Sequence, residues 1–451
     1  MFSVIVPVHN SETTIEETLL NILRKLPFYE DEVIIVNDGS TDGTSNIINK
    51  YKGYSNVKVI NQSNHGVSSA RNVALEVLSE NTQFVTFVDD SDYLGEKFFE
   101  YVLNYFKRNN EIDIAVTPIT IVENGKKRDN NLNYKFNSQT EVVDIIKNSQ
   151  SIHYHIGGVV FRKKLFSHER YRFDETISYW EDAKLINSIF LEKQFYGLIK
   201  KATYFYNRND NFSLSNTAWN SSNRYTYQIK ANYFQLIRHS IGKYDKAIEY
   251  IQFLLANHFL EYIREHNQSK INFDFVLSDL EFISSARKMF EYISVSVIDK
   301  LKVPNSHKNY LYYLKNEPFP YYKYVKNISL FIQNYNFTKR EMQFSFSQNS
   351  FGIPNDSDVY IYSKRKRLVK ATLCKERFFF ILEKQFNDFS RNIYKAKVSW
   401  RQVVWGCDIL ILDKTLNEII QVKNPSLLVR ILKRLKIGKK RLSIKRTYFE
   451  G

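Results

Sequence analysis

Cysteine is almost absent from this chain, with Cys374 and Cys407 the only two in 451 residues. Two thiols cannot build a disulfide framework or a four-cysteine zinc site, so buried thiols in a reducing compartment are expected. The 14 Gly and 8 Pro are too few for a collagen-like chain or a flexible linker protein. No stretch approaches the roughly 20 apolar residues that a membrane-spanning helix needs. The start, Met1-Phe2-Ser3-Val4-Ile5-Val6-Pro7, lacks a basic segment before a long apolar run and reads as a strand, not a signal peptide. A cytoplasmic protein is the expectation. No G-x-G-x-x-G follows the first strand, and neither a P-loop nor an H-E-x-x-H occurs. Dinucleotide, P-loop and zincin sites therefore have no support. No fixed-period repeat or low-complexity tract is present.

What is present is an ordinary globular composition, 43% hydrophobic and 25% charged, rich in aromatic residues with 34 Phe and 31 Tyr. The formal charge of +16 is unevenly placed: residues 361–451 hold 23 Lys and Arg against 7 Asp and Glu. The first 360 residues are neutral. A neutral body with a cationic end suggests one region for chemistry and another that meets a polyanion or an anionic surface.

Residues 1–120 alternate apolar runs with amphipathic stretches. Strands are expected at Phe2–Val8, Glu32–Val36, Val57–Ile60 and Phe84–Val88, with helices between them. Thr13-Thr14-Ile15-Glu16 has capping-box spacing ahead of one such helix. This alternation predicts a mainly parallel sheet covered by helices on both faces. Residues 151–215 continue the domain, with a strand at 157–161 and a helix after Glu181-Asp182. The expected division is an α/β catalytic domain over 1–220, a helical region over 221–342 and a β-rich basic region over 343–451.

In an open parallel sheet, ligands bind beyond the carboxyl ends of the strands. The polar residues there are His9-Asn10, Asp38 and Asp89-Asp90-Ser91-Asp92. Three carboxylates within four residues repel one another unless a cation is near, and hard divalent cations bridge carboxylates to phosphates. Such an ion would neutralise a departing nucleotide diphosphate. His153 and His155 read as structural histidines.

Four ordered motifs then resemble glycosyltransferase family 2 with its GT-A fold: Ser3-Val4-Ile5-Val6-Pro7-Val8-His9-Asn10, Glu32 to Asp42, Asn64-His65-Gly66-Val67-Ser68-Ser69-Ala70-Arg71-Asn72, and Phe87-Val88-Asp89-Asp90-Ser91-Asp92. The resemblance covers roughly the first half. It implies an inverting transferase that uses a nucleotide-activated sugar, usually UDP-linked, with Mn²⁺ or Mg²⁺. Pro7, Val8, His9, Asn10 and Asn64 would line the nucleotide-sugar pocket, Asp38 would bond the base edge, and Arg71 would contact the nucleotide. Asp89 and Asp90 would face the sugar-diphosphate, with Asp90 and Asp92 on the metal. The family often reads Asp-x-Asp-Asp here, and this chain places Ser91 third. Glu181-Asp182 matches the family's Glu-Asp pair, with Asp182 as base and Glu181 orienting the acceptor. Arg208 and Ser213 would close over the diphosphate. The Gln-x-x-Arg-Trp motif of processive, membrane-embedded relatives is absent. Transfer to a bacterial surface glycan, capsule or teichoic acid follows, through a glycan, polyol-phosphate or lipid-linked acceptor and without a nucleic-acid partner.

The region after 343 reads as an accessory module for carbohydrate binding or homo-oligomerisation. Trp400, Trp405 and Tyr362 are expected in its core, with stacking on sugars as the alternative. Residues 425–451 combine an apolar face, Leu427, Leu428, Ile431, Leu432 and Leu435, with a dense basic set. They suit the anionic inner face of a membrane or a phosphate-rich acceptor. Two rival readings are a non-catalytic polyanion- or nucleic-acid-binding protein, which leaves Asp89, Asp90, Asp92 and Asp182 without a task, and a sugar-nucleotide nucleotidylyltransferase, which lacks its Gly-rich basic loop.

Overall fold

The computed structural model describes residues 1–169, 171–209, 218–268, 271, 276, 278–325, 327–362, 368–424 and 446–447. The chain divides into two compact units, Met1–Tyr262 with Ser269–Val297, and Ile263–Gln268 with Ile298–Gly451.

The first unit is built on strands β1 (Phe2–Val8), β2 (Glu32–Asp38), β3 (Val57–Gln62) and β4 (Phe84–Phe87), all parallel. A short strand β5 (Tyr93–Leu94) follows the acidic turn. Next come β6 (Ile114–Val116), β7 (Ile119–Glu123), β8 (Lys126–Asp129), β9 (Val142–Asp144), β10 (Val159–Arg162), β11 (Phe195–Leu198) and β12 (Tyr204–Asn207). The main sheet runs β3-β2-β1-β4-β10-β6-β11-β9, and a second runs β5-β12-β7-β8. β10 lies antiparallel to β4, so residues just before it return to the rim where β1, β2 and β4 end.

Every residue of β1 and β2 is buried, as expected of parallel strands covered on both faces. Phe2, Val4, Val6 and Val8 alternate onto one face and share a core with helices α1 (Ile15–Leu23) and α4 (Phe98–Arg108). Helix α2 (Thr44–Asn49) packs on α1, and α3 (Val67–Glu76) packs against β1 and β2. The expected capping box at Thr13–Glu16 does not form. Thr14 is the N-cap without a side-chain bond, and the Ser11 carbonyl accepts from Thr14 and Ile15 N–H instead. Helix α5 (Glu181–Lys193) then leads to α6 (226–244), α7 (Glu249–Asn267) and α8 (Phe282–Glu291). Within α6, Ile229–Tyr233 is a π-helical turn. The described residues contain no helix long and apolar enough to cross a membrane.

In the second unit two antiparallel sheets share one apolar core. Met342, Phe344 and Tyr394 come from one sheet, and Val359, Ile361, Ile409 and Ile411 from the other. Cys407–Asp413 alternates buried and half-buried residues, the period of a strand with one inward face. Trp400 and Trp405 are not core residues: they are 51% and 68% exposed, at the two ends of a short helix, Trp400–Trp405, that buries none of its residues. Tyr362 is half-buried. The apolar and basic residues of 425–445 lie outside the described residues.

Candidate active site

Loops after β1, β2 and β3 interlock at the rim. His9 Nδ1 donates to the Asp38 carbonyl at 2.8 Å, and its Nε2 faces the amides of Asn10 and Asn64 at 3.2 and 3.3 Å. Asn10 sits at φ 52°, and its Oδ1 accepts from Thr41 N–H at 2.8 Å. Gly39 has φ 69°, and a Cβ there would stand 2.6 Å from the Asn64 nitrogen, so only glycine permits this approach. Pro7 and Val8 are buried, whereas His9, Asn10 and Asn64 are exposed.

Asp38 is buried, and its carboxylate is fully engaged. Oδ1 accepts from Gln62 Nε2 and His65 N–H, and Oδ2 from Gly66 N–H, each at 2.8 Å. It therefore builds the loop that opens α3. A carboxylate satisfied by two backbone N–H groups is a strong local fastening.

The acidic turn splits its three carboxylates among different tasks. Asp89 Oδ1 accepts from Arg71 Nη2 at 2.9 Å, and the side chain stays 34% exposed. Asp90 Oδ2 accepts from His9 N–H at 3.2 Å and from the Ser11 hydroxyl. Asp92 is fully buried: Oδ2 accepts from Tyr204 Oη at 2.6 Å and Oδ1 from Asn207 N–H at 2.8 Å. Burial, then the charge of Asp89, pushes its carboxyl well above the usual range. Both oxygens of Asp92 are thus taken inside the protein, whereas Asp90 bonds the loop after β1. Asp92 is drawn inward by β12, because a buried carboxylate needs hydrogen-bond donors and Tyr204 and Asn207 supply them. Among the described residues no group of three His, Cys, Asp or Glu side chains is placed to hold a metal. Asp89 and Asp90 are both half-buried at the rim, and Asp92 is the one withdrawn from it.

Glu181 and Asp182 open α5, and Trp180 before them sits at φ 68°. A tryptophan in left-handed conformation is strained, and such strain gathers at functional positions. Glu181 Oε1 accepts from Arg71 Nη1 at 2.8 Å, so buried Arg71 bridges Asp89 and Glu181 across the rim. Burial opposes the Arg71 charge, but Asp89, Glu181 and Asp182 together raise its pKa above the ordinary value. Asp182 Oδ1 accepts from Ala183 N–H at 2.7 Å, and Oδ2 from Ile156 N–H at 3.1 Å. Burial raises the Asp182 carboxyl to about 6 against the pull of Arg71. Burial, then the neighbouring Asp182, raises Glu181 to about 7. Paired acids near neutrality suit proton transfer.

Arg208 is half-buried, with its N–H on the Val122 carbonyl at 2.8 Å, one residue after the Asn207 that binds Asp92. Ser213 lies outside the described residues. Sequence reasoning missed Tyr204, whose hydroxyl meets both Asp92 and, at 3.3 Å, the N–H of Asp89. It also missed Asn72, which fastens Phe173 and Glu175 to α3. A tyrosine in a strand carries no signal for this, since its partner is more than a hundred residues away. Asn72 lay inside a quoted motif and could have been singled out. His153 is buried, and His155 accepts Gly157 N–H at 2.9 Å, as structural histidines do.

Three comparisons bear on this site. The profile described as glycosyl transferase family 2 matches residues 3–169. The minor teichoic acid biosynthesis protein GgaA of Bacillus subtilis is 30% identical over 325 residues, covering 70% of this chain and 72% of that protein. The poly(ribitol-phosphate) beta-N-acetylglucosaminyltransferase TarS of Staphylococcus aureus is 45% identical over 100 residues, covering 21% of this chain and 17% of its own. In structure, S. aureus TarS 1-349 in complex with UDP-GlcNAc superposes with a TM-score of 0.53 at 23% identity, covering 70% of this chain and 87% of that one. This likeness shows a shared GT-A fold.

Proposed function

We propose, from the premise that this chain belongs to glycosyl transferase family 2, that it moves a sugar from a nucleotide-linked donor to a hydroxyl of a teichoic-acid-like polyol phosphate, with inversion. The observation that carries this is the Arg71 bridge, which ties Asp89 to Glu181 and sets its charge beside half-buried Asp182, at the rim where β1, β2 and β4 end. The names of the GgaA and TarS relatives support the teichoic-acid acceptor, and the UDP-GlcNAc bound to TarS supports a UDP-sugar donor, hexosyl or N-acetylhexosaminyl.

His9, Asn10 and Asn64 form the side that takes the nucleotide, and Arg71 and Asp89 face the sugar-diphosphate. Asp182 accepts the proton of the acceptor hydroxyl as that oxygen bonds to the anomeric carbon. The bond from that carbon to the diphosphate breaks on the opposite face, and the nucleotide diphosphate leaves with the electron pair. Arg71, charged at every working pH, orients Glu181 and offsets negative charge at Asp89. Asp92 has both oxygens bonded to Tyr204 and Asn207, so a divalent ion held with Asp90 would have to compete with those two donors. Asp89 would be the rim carboxylate to hold Mn²⁺ or Mg²⁺, an ion that would supply charge neutralisation to the leaving diphosphate. Arg208 meets the same phosphates in this reading. Residues 425–451, basic and apolar by turns, serve peripheral attachment to an anionic membrane face.

The decisive test is Asp182→Asn. Transfer from a UDP-sugar to a polyol-phosphate acceptor should fall by about 10³-fold or more, while calorimetric affinity for the donor holds within a few fold. Turnover retained in that variant removes the base from this assignment.

A further inference from the structure

His155 stands between the two halves of the proposed chemistry. On one side its chain neighbour Ile156 donates its N–H to Asp182 Oδ2 at 3.1 Å. On the other its ring packs edge-on against Tyr204, with centroids 6.1 Å apart, and the Tyr204 hydroxyl meets the N–H of Asp89 at 3.3 Å. The ring lies near enough to Asp89 and Arg71 to feel both charges. Asp89 and Arg71 face the sugar-diphosphate in the transferase reading, and Asp182 takes the acceptor proton. The transferred sugar must lie between the departing phosphate and the arriving hydroxyl, because inversion sets them on opposite faces of its anomeric carbon. His155 therefore borders the place of the sugar itself.

The ring is held in one orientation. Gly157 N–H donates to Nδ1 at 2.9 Å, and His153 Nε2 donates to the His155 carbonyl at 2.9 Å. A Cβ at Gly157 would stand 2.8 Å from His155 Cε1, so a glycine there lets the ring fold back along its own chain. Tyr206 packs edge-on against it as well, with 5.0 Å between centroids and 70° between planes. The Gly157 bond also settles where the ring proton sits. A backbone N–H can only donate, so Nδ1 carries the lone pair. Burial, opposed by Asp89 and assisted by Arg71, holds the ring below its usual pKa. The ring is neutral, and its one proton is on Nε2. Among the described residues Nε2 meets no acceptor, and the residue is half-buried, not sealed in.

A fixed N–H donor near a carboxylate matches a hydroxyl. A sugar hydroxyl donates one hydrogen bond and accepts others, whereas a phosphate oxygen only accepts. Asp89 has Oδ1 on Arg71 and stays 34% exposed, so it supplies the acceptor. A site built to hydrogen-bond a substrate hydroxyl discriminates strongly against an analogue that lacks it.

We propose that His155 is a specificity residue whose Nε2–H donates to a hydroxyl oxygen of the transferred sugar, with Asp89 as the neighbouring acceptor. This rests on the transferase reading above. The probe is whichever of UDP-glucose, UDP-N-acetylglucosamine and UDP-N-acetylgalactosamine the unaltered protein transfers to a ribitol-phosphate oligomer, with UDP as the control that lacks a sugar. His155→Asn keeps an oxygen where Nδ1 accepts from Gly157 and removes the N–H at Nε2. Calorimetric binding of the UDP-sugar weakens by about five- to tenfold, and that of UDP by less than about twofold. His155→Gln, whose amide N–H reaches the Nε2 position, recovers part of the loss. One monodeoxy form of the donor binds the unaltered protein more weakly and loses nothing further in His155→Asn. If His155→Asn does not fold, His155→Phe, which keeps a ring between Gly157 and Tyr206, is read by the same comparison of UDP-sugar with UDP. Equal losses for UDP-sugar and UDP overturn the assignment, as do unchanged binding of both and a loss that persists across every monodeoxy donor. Absence of transfer from all three donors by the unaltered protein overturns the transferase reading instead.

Discussion

At the scale of single residues, the site is governed by how buried charge is compensated. Asp182 carries two backbone N–H bonds and the field of Arg71, yet burial still leaves it at about 6. A base works only when ionised, and a raised carboxyl pKa is protonated below that value. The sign is therefore definite: kcat/KM should fall with decreasing pH, by about tenfold per unit once below about 6, the value for Asp182. A profile flat from pH 5 to 8 by initial rates would assign the proton transfer to another group. Asp92 shows the opposite use of the same residue type. Its two oxygens are occupied inside the protein, so it fastens the acidic turn to β12 and leaves the rim to Asp89 and Asp90.

At the scale of elements, the site depends on how closely β10, β12 and the acidic turn approach. Gly157 precedes β10, and a Cβ there would lie 2.3 Å from Tyr204 Cε1 and 2.5 Å from its Cζ. That ring is fully buried and holds Asp92, so it has nowhere to retreat. Gly157→Ala should cost about 1–3 kcal/mol through overpacking. The urea midpoint would drop while the m-value stays constant. Tyr204→Phe removes the hydroxyl alone and leaves Asp92 with its Asn207 bond; about 1–3 kcal/mol is again expected. Equal midpoints for Tyr204→Phe and the unaltered protein would show that Asp92 needs no partner in β12.

At the scale of the whole molecule, the chemistry and the excess charge occupy different units. Every described residue of the candidate site lies in the first unit, whereas the net +16 belongs to residues 361–451. Attraction between exposed charges decays over about 8 Å at physiological ionic strength, so a role for the basic end in surface attachment must be salt-sensitive. Deletion of residues 425–451 should abolish sedimentation with anionic vesicles at low salt and leave transfer to a soluble acceptor intact. Vesicle binding that survives the deletion would place the attachment elsewhere.

The strands of the parallel sheet and the positions of His9, Asp38 and Asp89 were legible in the sequence, because a strand's apolar run and the polar residue that ends it are local signals; Glu181-Asp182, at the start of a helix, were found through the family resemblance. Local patterns also fixed which residue types stand at the rim. They could not tell which way each side chain turns. Asp92 faces inward on account of Tyr204, Asp38 on account of Gly66, and Arg71 reaches Glu181 across 110 positions of chain. Arg224 carries no sequence mark at all. Its guanidinium lies between the Tyr179 and Trp219 rings, and only tertiary packing can create or reveal that.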